Sequence, residues 1–171
     1  ARRHAALHLK TRGAMTYAVF VQALSTCSAL GADASSLRDR LWNAQDPDSL
    51  TWTQQYSPGR TLPLGCLPAQ LQLPALDFAP LSQRSRNNAL AWHAMQALRA
   101  EVDAAISQYG AHRVAVIVGT STAGVQEGEQ AAVQWQATQS FPAGFDYAVQ
   151  EMGNVATFLA QHLGVQGPAH T

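Results

Sequence analysis

The sequence predicts an α/β fold, because strand-like and helix-like segments alternate along most of its 171 residues. The clearest strand is Arg113-Val-Ala-Val-Ile-Val-Gly119, whose unbroken apolar run is typical of a strand covered on both faces. The clearest helix covers about residues 85–109, where apolar residues recur at helical spacing and Gly110 ends the pattern. A chain of this length can bury a core of its own.

The N-terminal third begins with a predicted strand over residues 17–24, which is rich in β-branched and aromatic side chains and is expected to be buried. A loop of small residues follows over 25–31. Asp33 is then a suitable N-cap for a helix over residues 36–44. Six prolines within residues 45–80 predict a long irregular excursion, with a short strand near 62–67.

The C-terminal part alternates again between loops and helices. A tight loop, Gly119-Thr-Ser-Thr-Ala-Gly124, follows the clear strand, and a helix is expected after it, through residues 130–136. A second loop is expected over 140–144. A last helix is predicted over about 147–163, stopped by Gly164.

Charge is scarce and unevenly distributed. Charged residues make up 13% of the chain, against about 25% in an average protein, and the formal net charge is zero. Residues 1–14 hold four basic residues and no acid, so that 11 − 4 = 7 basic residues face 11 acidic ones from Met15 onward. A mildly acidic body argues against nucleic acid as a partner, and no apolar run approaches the ~18 residues that span a bilayer.

Residues 1–14 are predicted to be a basic, disordered extension, and 15–171 the folded domain. No apolar segment follows the basic residues before Met15, so a signal peptide is not expected and Met15 is a possible natural start. Cys27 and Cys66 lack the spacing of a metal site or a CxxC pair and are predicted to be buried, reduced thiols of a cytoplasmic protein. His4 and His8 are expected to lie in the tail, and no metal is expected.

The loop at 119–124 fails two phosphate-binding motifs. A phosphate loop needs Lys after its second glycine, where Val125 stands. A dinucleotide fingerprint needs glycine where Ser121 stands, because the backbone there must approach a pyrophosphate.

The same loop leaves open a nucleophile elbow of the GxSxG type. This turn would raise Ser121 between a strand and a helix, although Ala123 replaces the second glycine. Asp146 and then His162 or His170 follow in the order that a hydrolase requires. A serine hydrolase using Ser121 is therefore an alternative function.

Four segments, in this order, resemble blocks of one enzyme family. Residues 19–31 resemble an opening strand with its glycine-ended loop, and 33–44 the first amphipathic helix. Residues 114–124 resemble a strand with a G(S/T)xxGG loop, and 151–168 a helix that ends in GxxGP. Together they resemble the N-terminal part of a β-ketoacyl-[acyl-carrier-protein] synthase, a ketosynthase of the thiolase-like superfamily.

The resemblance implies the N-terminal half of a thiolase-like layered αβαβα fold, truncated before the nucleophile strand. The family's catalytic cysteine and two histidines would follow Thr171, so no catalytic residue is assigned here. The implied reaction is decarboxylative Claisen condensation, an acyl transfer that elongates chains in fatty acid, polyketide or aryl-polyene synthesis. The implied partners are acyl carrier protein, a second ketosynthase-like subunit in a homodimer or heterodimer, and the remainder of the fold. No cofactor is implied.

Departures from the family pattern and two aromatic residues supply the site candidates. Thr122-Ala123-Gly124 stands where many members have a bulky residue and then two glycines, which implies a less restricted acyl pocket. Ser85-Arg-Asn-Asn88 and the 119–122 loop resemble ketosynthases of bacterial aryl-polyene or pigment clusters. The candidates for the acyl pocket or a subunit interface are Ser121, Thr122, Phe145, Tyr147 and Met152.

Two further functions remain open. A non-catalytic partner similar to a chain length factor would keep this fold and replace the cysteine, and a truncated product would have no activity. Because unpaired strand edges and open core surfaces promote association, residues 1–171 alone are predicted to be poorly soluble or to bind a complementary segment.

Overall fold

The structure is a computed structural model and describes residues 5–8, 18–43 and 50–171, with residues 5–8 and 18 described by their backbone. Within these ranges the strands pair two by two. The helices are α1 (Ala34–Trp42), α2 (Arg86–Gln96), α3 (Arg99–Tyr109), α4 (Val125–Thr138) and α5 (Asn154–Leu163). The strands are β1 (Ala5–His8), β2 (Ala18–Val21), β3 (Thr51–Thr53), β4 (Leu62–Leu64), β5 (Val116–Ile117) and β6 (Ala169–His170).

The first predicted strand is present as β2, which pairs antiparallel with β1. Its predicted burial is wrong, because Val19 and Phe20 are 49% and 53% exposed. The rest of the predicted extension and Met15 lie outside the described residues, and disorder over residues 1–14 stays a prediction.

Helix α1 has the predicted N-cap, Asp33, but begins at Ala34 instead of the predicted residue 36. The Asp33 carboxylate accepts hydrogen bonds from the Ser35 hydroxyl at 2.6 Å and from the Ser36 backbone N–H at 2.8 Å. These bonds, that of Ser35 first, lower the pKa of Asp33 to about 2. Asp33 is thus the N-cap, and the helix starts one residue later, at Ala34.

Within its described residues, 50–80, the proline-rich excursion contains one hairpin, in which β3 and β4 pair antiparallel from Thr51↔Leu64 to Thr53↔Leu62. The predicted strand near 62–67 is therefore confirmed as β4. The prediction of buried thiols is wrong for Cys66, which is exposed just beyond this hairpin. Cys27 is half-buried, and burial raises the pKa of its thiol.

The predicted helix over 85–109 is two helices, which corrects the expectation of one. Both Ala97 and Leu98 donate their backbone N–H to the carbonyl of Met95, so the chain tightens into a turn before α3 begins. The turn lets Val102 and Ile106 of α3 pack on the same core as Trp92 and Met95 of α2. Gly110, at φ 87°, ends α3 as predicted.

The core is built around α5. Phe158 is fully buried, and its ring centroid lies 5.8 Å from Trp92 and 4.8 Å from His162. The other buried members of the cluster are Leu76, Ala79, Ala89, Val155, Leu159, Ala160, Leu163 and Val165. Because nearly every turn of α5 contributes a buried side chain, this helix is the centre of the packing.

The predicted last helix over 147–163 is also interrupted. Tyr147–Gln150 forms a 3-10 helix, and α5 starts only at Asn154. The Asn154 amide donates to the carbonyls of Ser82 and Ala148, both at 2.8 Å, and the bond to Ala148 holds the 3-10 helix against the start of α5. Gly164 adopts the left-handed conformation, φ 75°, and stops α5 as predicted.

Strands β5 and β6 are parallel, in the register Val116↔Ala169 and Ile117↔His170. Val114, Val116 and Val118 pack against the core beside α5. Ile117, on the opposite face, is 73% exposed, so the prediction that this strand is covered on both faces is wrong for the described residues. None of the described helices is long and apolar enough to cross a membrane.

Candidate functional site

The loop at 119–124 and residue Thr171 lie at the same edge of the β5–β6 pair. The backbone N–H of Val116 donates to Pro168 and that of Val118 to His170, both at 2.9 Å. Because parallel strands run in one direction, both carboxyl ends point to this edge, where sites of α/β proteins commonly form. The loop leaves β5 there and Thr171 leaves β6 there.

The Gly-Pro segment before β6 is fixed by close backbone contacts. Gln166 and Gly167 both donate their N–H to the carbonyl of Ala111, at 3.0 and 3.1 Å. A Cβ atom on Gly167 would overlap the carbonyl oxygen of Val114. Glycine at 167 is therefore required for β6 to lie against the chain that leads into β5.

Hydrogen bonds to one carbonyl hold the loop in shape. The oxygen of Thr122 accepts from the Thr120 hydroxyl at 2.8 Å and from the Asn87 amide at 3.0 Å. Gly124 follows at φ 55°, and a Cβ there would come within 2.5 Å of the Val149 carbonyl oxygen. The second glycine of the loop thus allows α4 to approach the 3-10 helix.

A carboxylate ties α4 to α2. Glu127, in the first turn of α4, accepts a hydrogen bond from the backbone N–H of Arg86 through Oε1, at 2.7 Å. Its Oε2 is buried and has no hydrogen-bond partner among the described residues. The sequence reasoning missed Glu127; the signal was an acid four residues before the buried Ala131 in a helix with few charges.

Thr122 borders an open groove of about 1000 Å³. The groove runs between α4, the start of α2 and the tip of the β3–β4 hairpin, and its wall combines amide side chains with the apolar side chains of Leu90, Val125, Val133 and Ala137. The lining includes Thr122, Gln55, Tyr56, Arg86, Asn87, Gln126, Gln130 and Gln134. Ser121 is exposed and is not part of this lining.

The remaining site candidates lie on the surface around the 3-10 helix. Trp135, Phe141 and Phe145 stack in sequence, with ring centroids 4.8 and 5.7 Å apart. Tyr147, two residues further, is 71% exposed and Met152 is 43% exposed. We call Trp135, Phe141, Phe145 and Tyr147 the aromatic surface.

The arrangement of a hydrolase is not formed among the described residues. The Ser121 side chain makes no hydrogen bond to an acid or a histidine there. Asp146 accepts from the backbone N–H of Ala148 at 2.9 Å, as the N-cap of the 3-10 helix. His162 lies at the core, 3.0 Å from Gln83 Oε1, and burial lowers the pKa of its imidazole. No group of three metal-ligating side chains occurs among the residues that the structure describes.

Comparison with solved structures identifies the fold. A chain in the structure "Ketosynthase (ApeO) in Complex with its Chain Length Factor (ApeC) from Xenorhabdus doucetiae" matches with a TM-score of 0.75 and 34% sequence identity. The match covers 86% of this chain and 37% of that chain. A scan against protein-family models and a search of curated proteins both return no match.

The fold is of the thiolase-like, ketosynthase type, as the resemblance of the four sequence blocks implies. Within that class, this chain is similar to a component of a ketosynthase and chain-length-factor complex. It spans about 37% of the length of the chain that it matches.

Proposed function

We propose that this chain is the N-terminal part of a carrier-protein-dependent ketosynthase. The observation that carries the proposal is the structural match at 34% identity, which extends over 86% of the chain. The reaction is decarboxylative Claisen condensation, with acyl carrier protein as the donor of both substrates and the cytoplasm as the compartment. We propose in addition that the elongated product is a fatty acyl, polyketide or aryl-polyene chain.

The edge shared by β5 and β6 suits this chemistry. In the proposed enzyme a cysteine thiolate, supplied beyond Thr171, attacks the acyl thioester, and the carrier thiol leaves. Loss of CO₂ from the malonyl group then gives an enolate that attacks the acyl-enzyme and releases the cysteine. The loop at 119–124 follows β5, which runs parallel to β6. The residues that follow β6 in the proposed enzyme therefore begin beside this loop. Ser121 and Thr122 then border the acyl chain.

A second candidate is a non-catalytic partner similar to a chain length factor. The matched structure contains both kinds of subunit, and the described residues are compatible with either. The two differ in the nucleophile, because a chain length factor cannot hold an acyl group on a cysteine.

Acyl loading separates the two functions. The protein purified from its natural source is incubated with acyl-loaded carrier protein, and its intact mass is measured under denaturing conditions. A ketosynthase gains the mass of one acyl group, and iodoacetamide pretreatment abolishes the gain. No gain for the native protein, alone and with its co-purifying subunit, would contradict the ketosynthase assignment and favour the second candidate.

A further inference from the structure

The side chain of Asn87 ties the loop at 119–124 to α2. Its amide, in the first turn of that helix, donates to the carbonyl of Thr122 at 3.0 Å. The hydrogen bonds between Thr120 and Thr122 lie within the loop and move with it. Among the described residues, the Asn87 amide is therefore the group that joins residues 119–123 to another element by a hydrogen bond.

The backbone that carries Asn87 is held firmly. The Ser85 hydroxyl caps the first turn of α2, since it accepts from the backbone N–H of Asn88 at 3.2 Å. Asn88 is 1% exposed, and its amide donates to the Gln83 carbonyl and to the side-chain oxygen of Asn154, both at 2.8 Å. Asn87 is adjacent to this anchored residue and thus donates from a fixed position.

The Thr122 carbonyl has both of its acceptor positions filled. A carbonyl oxygen carries two lone pairs, and this oxygen accepts from the hydroxyl of Thr120 at 2.8 Å and from the amide of Asn87. Two donors from different directions fix the plane of the peptide that follows Thr122. The bond from Thr120 fixes that plane only relative to the loop, whereas the bond from Asn87 fixes it relative to the protein.

The loop is packed at one end and open at the other. Ala123 is 8% exposed, and Gly124 has no room for a Cβ atom. At the start of the loop, a Cβ atom on Gly119 would meet nothing within 4 Å. Packing therefore restrains the residues that enter α4 but not those that leave β5, and Thr122 depends on Asn87 for its position.

Thr122 and Asn87 both line the groove of about 1000 Å³. We propose that Asn87 is a positioning residue, which holds Thr122 at the groove wall and thereby sets the preference of the enzyme among acyl chains of different length. The inference rests on the proposed function, in which Thr122 borders the acyl chain. Asn87 acts through the Thr122 carbonyl and not on the reacting atoms.

A tether of this kind has a specific kinetic signature. Without it, the loop has to be ordered each time an acyl chain packs against Thr122, and the cost of ordering lowers the affinity. An acyl chain too short to reach Thr122 does not incur this cost. Because the loop is ordered equally in the bound substrate and in the transition state, the change appears in KM and not in kcat.

The test measures condensation by the full-length protein with its co-purifying subunit, using carrier protein loaded with acyl chains of two to fourteen carbons. Asn87→Ala removes the amide, and Asn87→Asp keeps its shape but cannot donate to the carbonyl. In both variants we expect the ratio of kcat/KM for the longest chain to that for the shortest to fall by roughly three- to tenfold, the range that one net hydrogen bond represents. The fall should lie in KM.

Hydrogen exchange provides a readout that is independent of the kinetics. A peptide that covers residues 119–124 should exchange faster in both Asn87 variants than in the native protein. The matched control is Gln54→Ala, which removes an exposed amide bond of the same length, 3.0 Å, to the hydroxyl of Thr61. This control should change neither the ratio nor the exchange of the loop.

Four results would overturn the inference: an equal fall of kcat/KM for every chain length, a change confined to kcat, loop exchange as slow as in the native protein, or a Gln54→Ala variant that behaves like Asn87→Ala. A merely structural role of Asn87 gives the first of these. A native protein that accepts no acyl chain would contradict the proposed function itself. Native activity with an unchanged ratio in the variants contradicts only the role of Asn87, so the two failures are distinguishable.

Discussion

Replacing Asn154 with alanine removes three hydrogen bonds at the start of α5. Its amide donates to Ser82 and Ala148, and its oxygen accepts from the amide of Asn88, all at 2.8 Å. Asn88 is 1% exposed, and among the described residues its side-chain amide keeps only the bond to the carbonyl of Gln83 when Asn154 is lost. The substitution thus separates the 3-10 helix, α2 and α5 at one point.

The expected loss follows from the number and burial of these bonds. Each net hydrogen bond contributes about 1 kcal/mol, so three give ~3 kcal/mol of unfolding free energy. Asn87→Ala is the matched control, because Asn87 lies one residue before Asn88 and makes a single exposed bond, to Thr122. Its expected loss is below about 1 kcal/mol.

Equilibrium unfolding in urea, followed by tryptophan fluorescence, measures both variants. With a slope of about 2 kcal/mol per molar urea, Asn154→Ala should lower the midpoint by ~1.5 M and Asn87→Ala by less than ~0.5 M. Coinciding midpoints of the two variants would refute the view that the buried asparagine pair joins the three elements.

Two other predictions concern β6 and the core histidine. Gly167→Ala should cost about 1–3 kcal/mol, because the new methyl group overlaps the Val114 carbonyl, while Gly144→Ala, which meets no atom within 4 Å, should cost far less in the same urea assay. Burial lowers the pKa of His162, so its contribution to stability is complete above the unfolded value of about 6.5 and is lost as pH falls through the lower folded value. The melting temperature should therefore drop between pH 7.5 and 5.5, by less in His162→Gln than in the native chain.

Equal costs for the two glycine substitutions would mean that β6 can move away from Val114 without loss. If the melting temperature of His162→Gln followed the native pH profile, another group would be responsible for the loss of stability between pH 7.5 and 5.5. His112→Gln, at an exposed histidine, serves as the control for the pH series.

Local signals predicted the ends of elements better than their interiors. Asp33, Gly110 and Gly164 act through their own backbone or side chain, so the sequence predicts caps at these positions and the structure has them there. The break at Ala97–Leu98 carries neither glycine nor proline. It arises because α2 and α3 must both face α5. The helical spacing of apolar residues in the sequence does not indicate this requirement.

Burial was the property that the sequence predicted least well. An apolar run such as residues 113–119 indicates that something covers both faces of the strand, but not whether the covering atoms belong to this chain. Ile117 is 73% exposed here, and its face is open among the described residues. Cys66 illustrates the same limit, since a small apolar side chain in an irregular segment carries no periodicity.

The structure brings together two segments of the candidate site that the sequence analysis treated separately. The loop at 119–124 and the end of the segment that follows Gly167-Pro168 lie at one edge because β5 and β6 are parallel. The placement of Ser121, Thr122, Phe145, Tyr147 and Met152 in a pocket or interface stays a prediction. That Glu127 Oε2 has no hydrogen-bond partner among the described residues could not be predicted, because this depends on how α4 lies against α2.

The β5–β6 register has a consequence for synthesis of the chain. Val116 pairs with Ala169, 169 − 116 = 53 residues later, and β6 is the partner of β5 among the described strands. At about 5–20 residues per second, a ribosome needs roughly 3–10 s to make the intervening segment. During that interval residues 114–118 emerge from the ribosome while their partner strand, β6, has not yet been made. A nascent-chain chaperone that binds short apolar segments would find its target in this window.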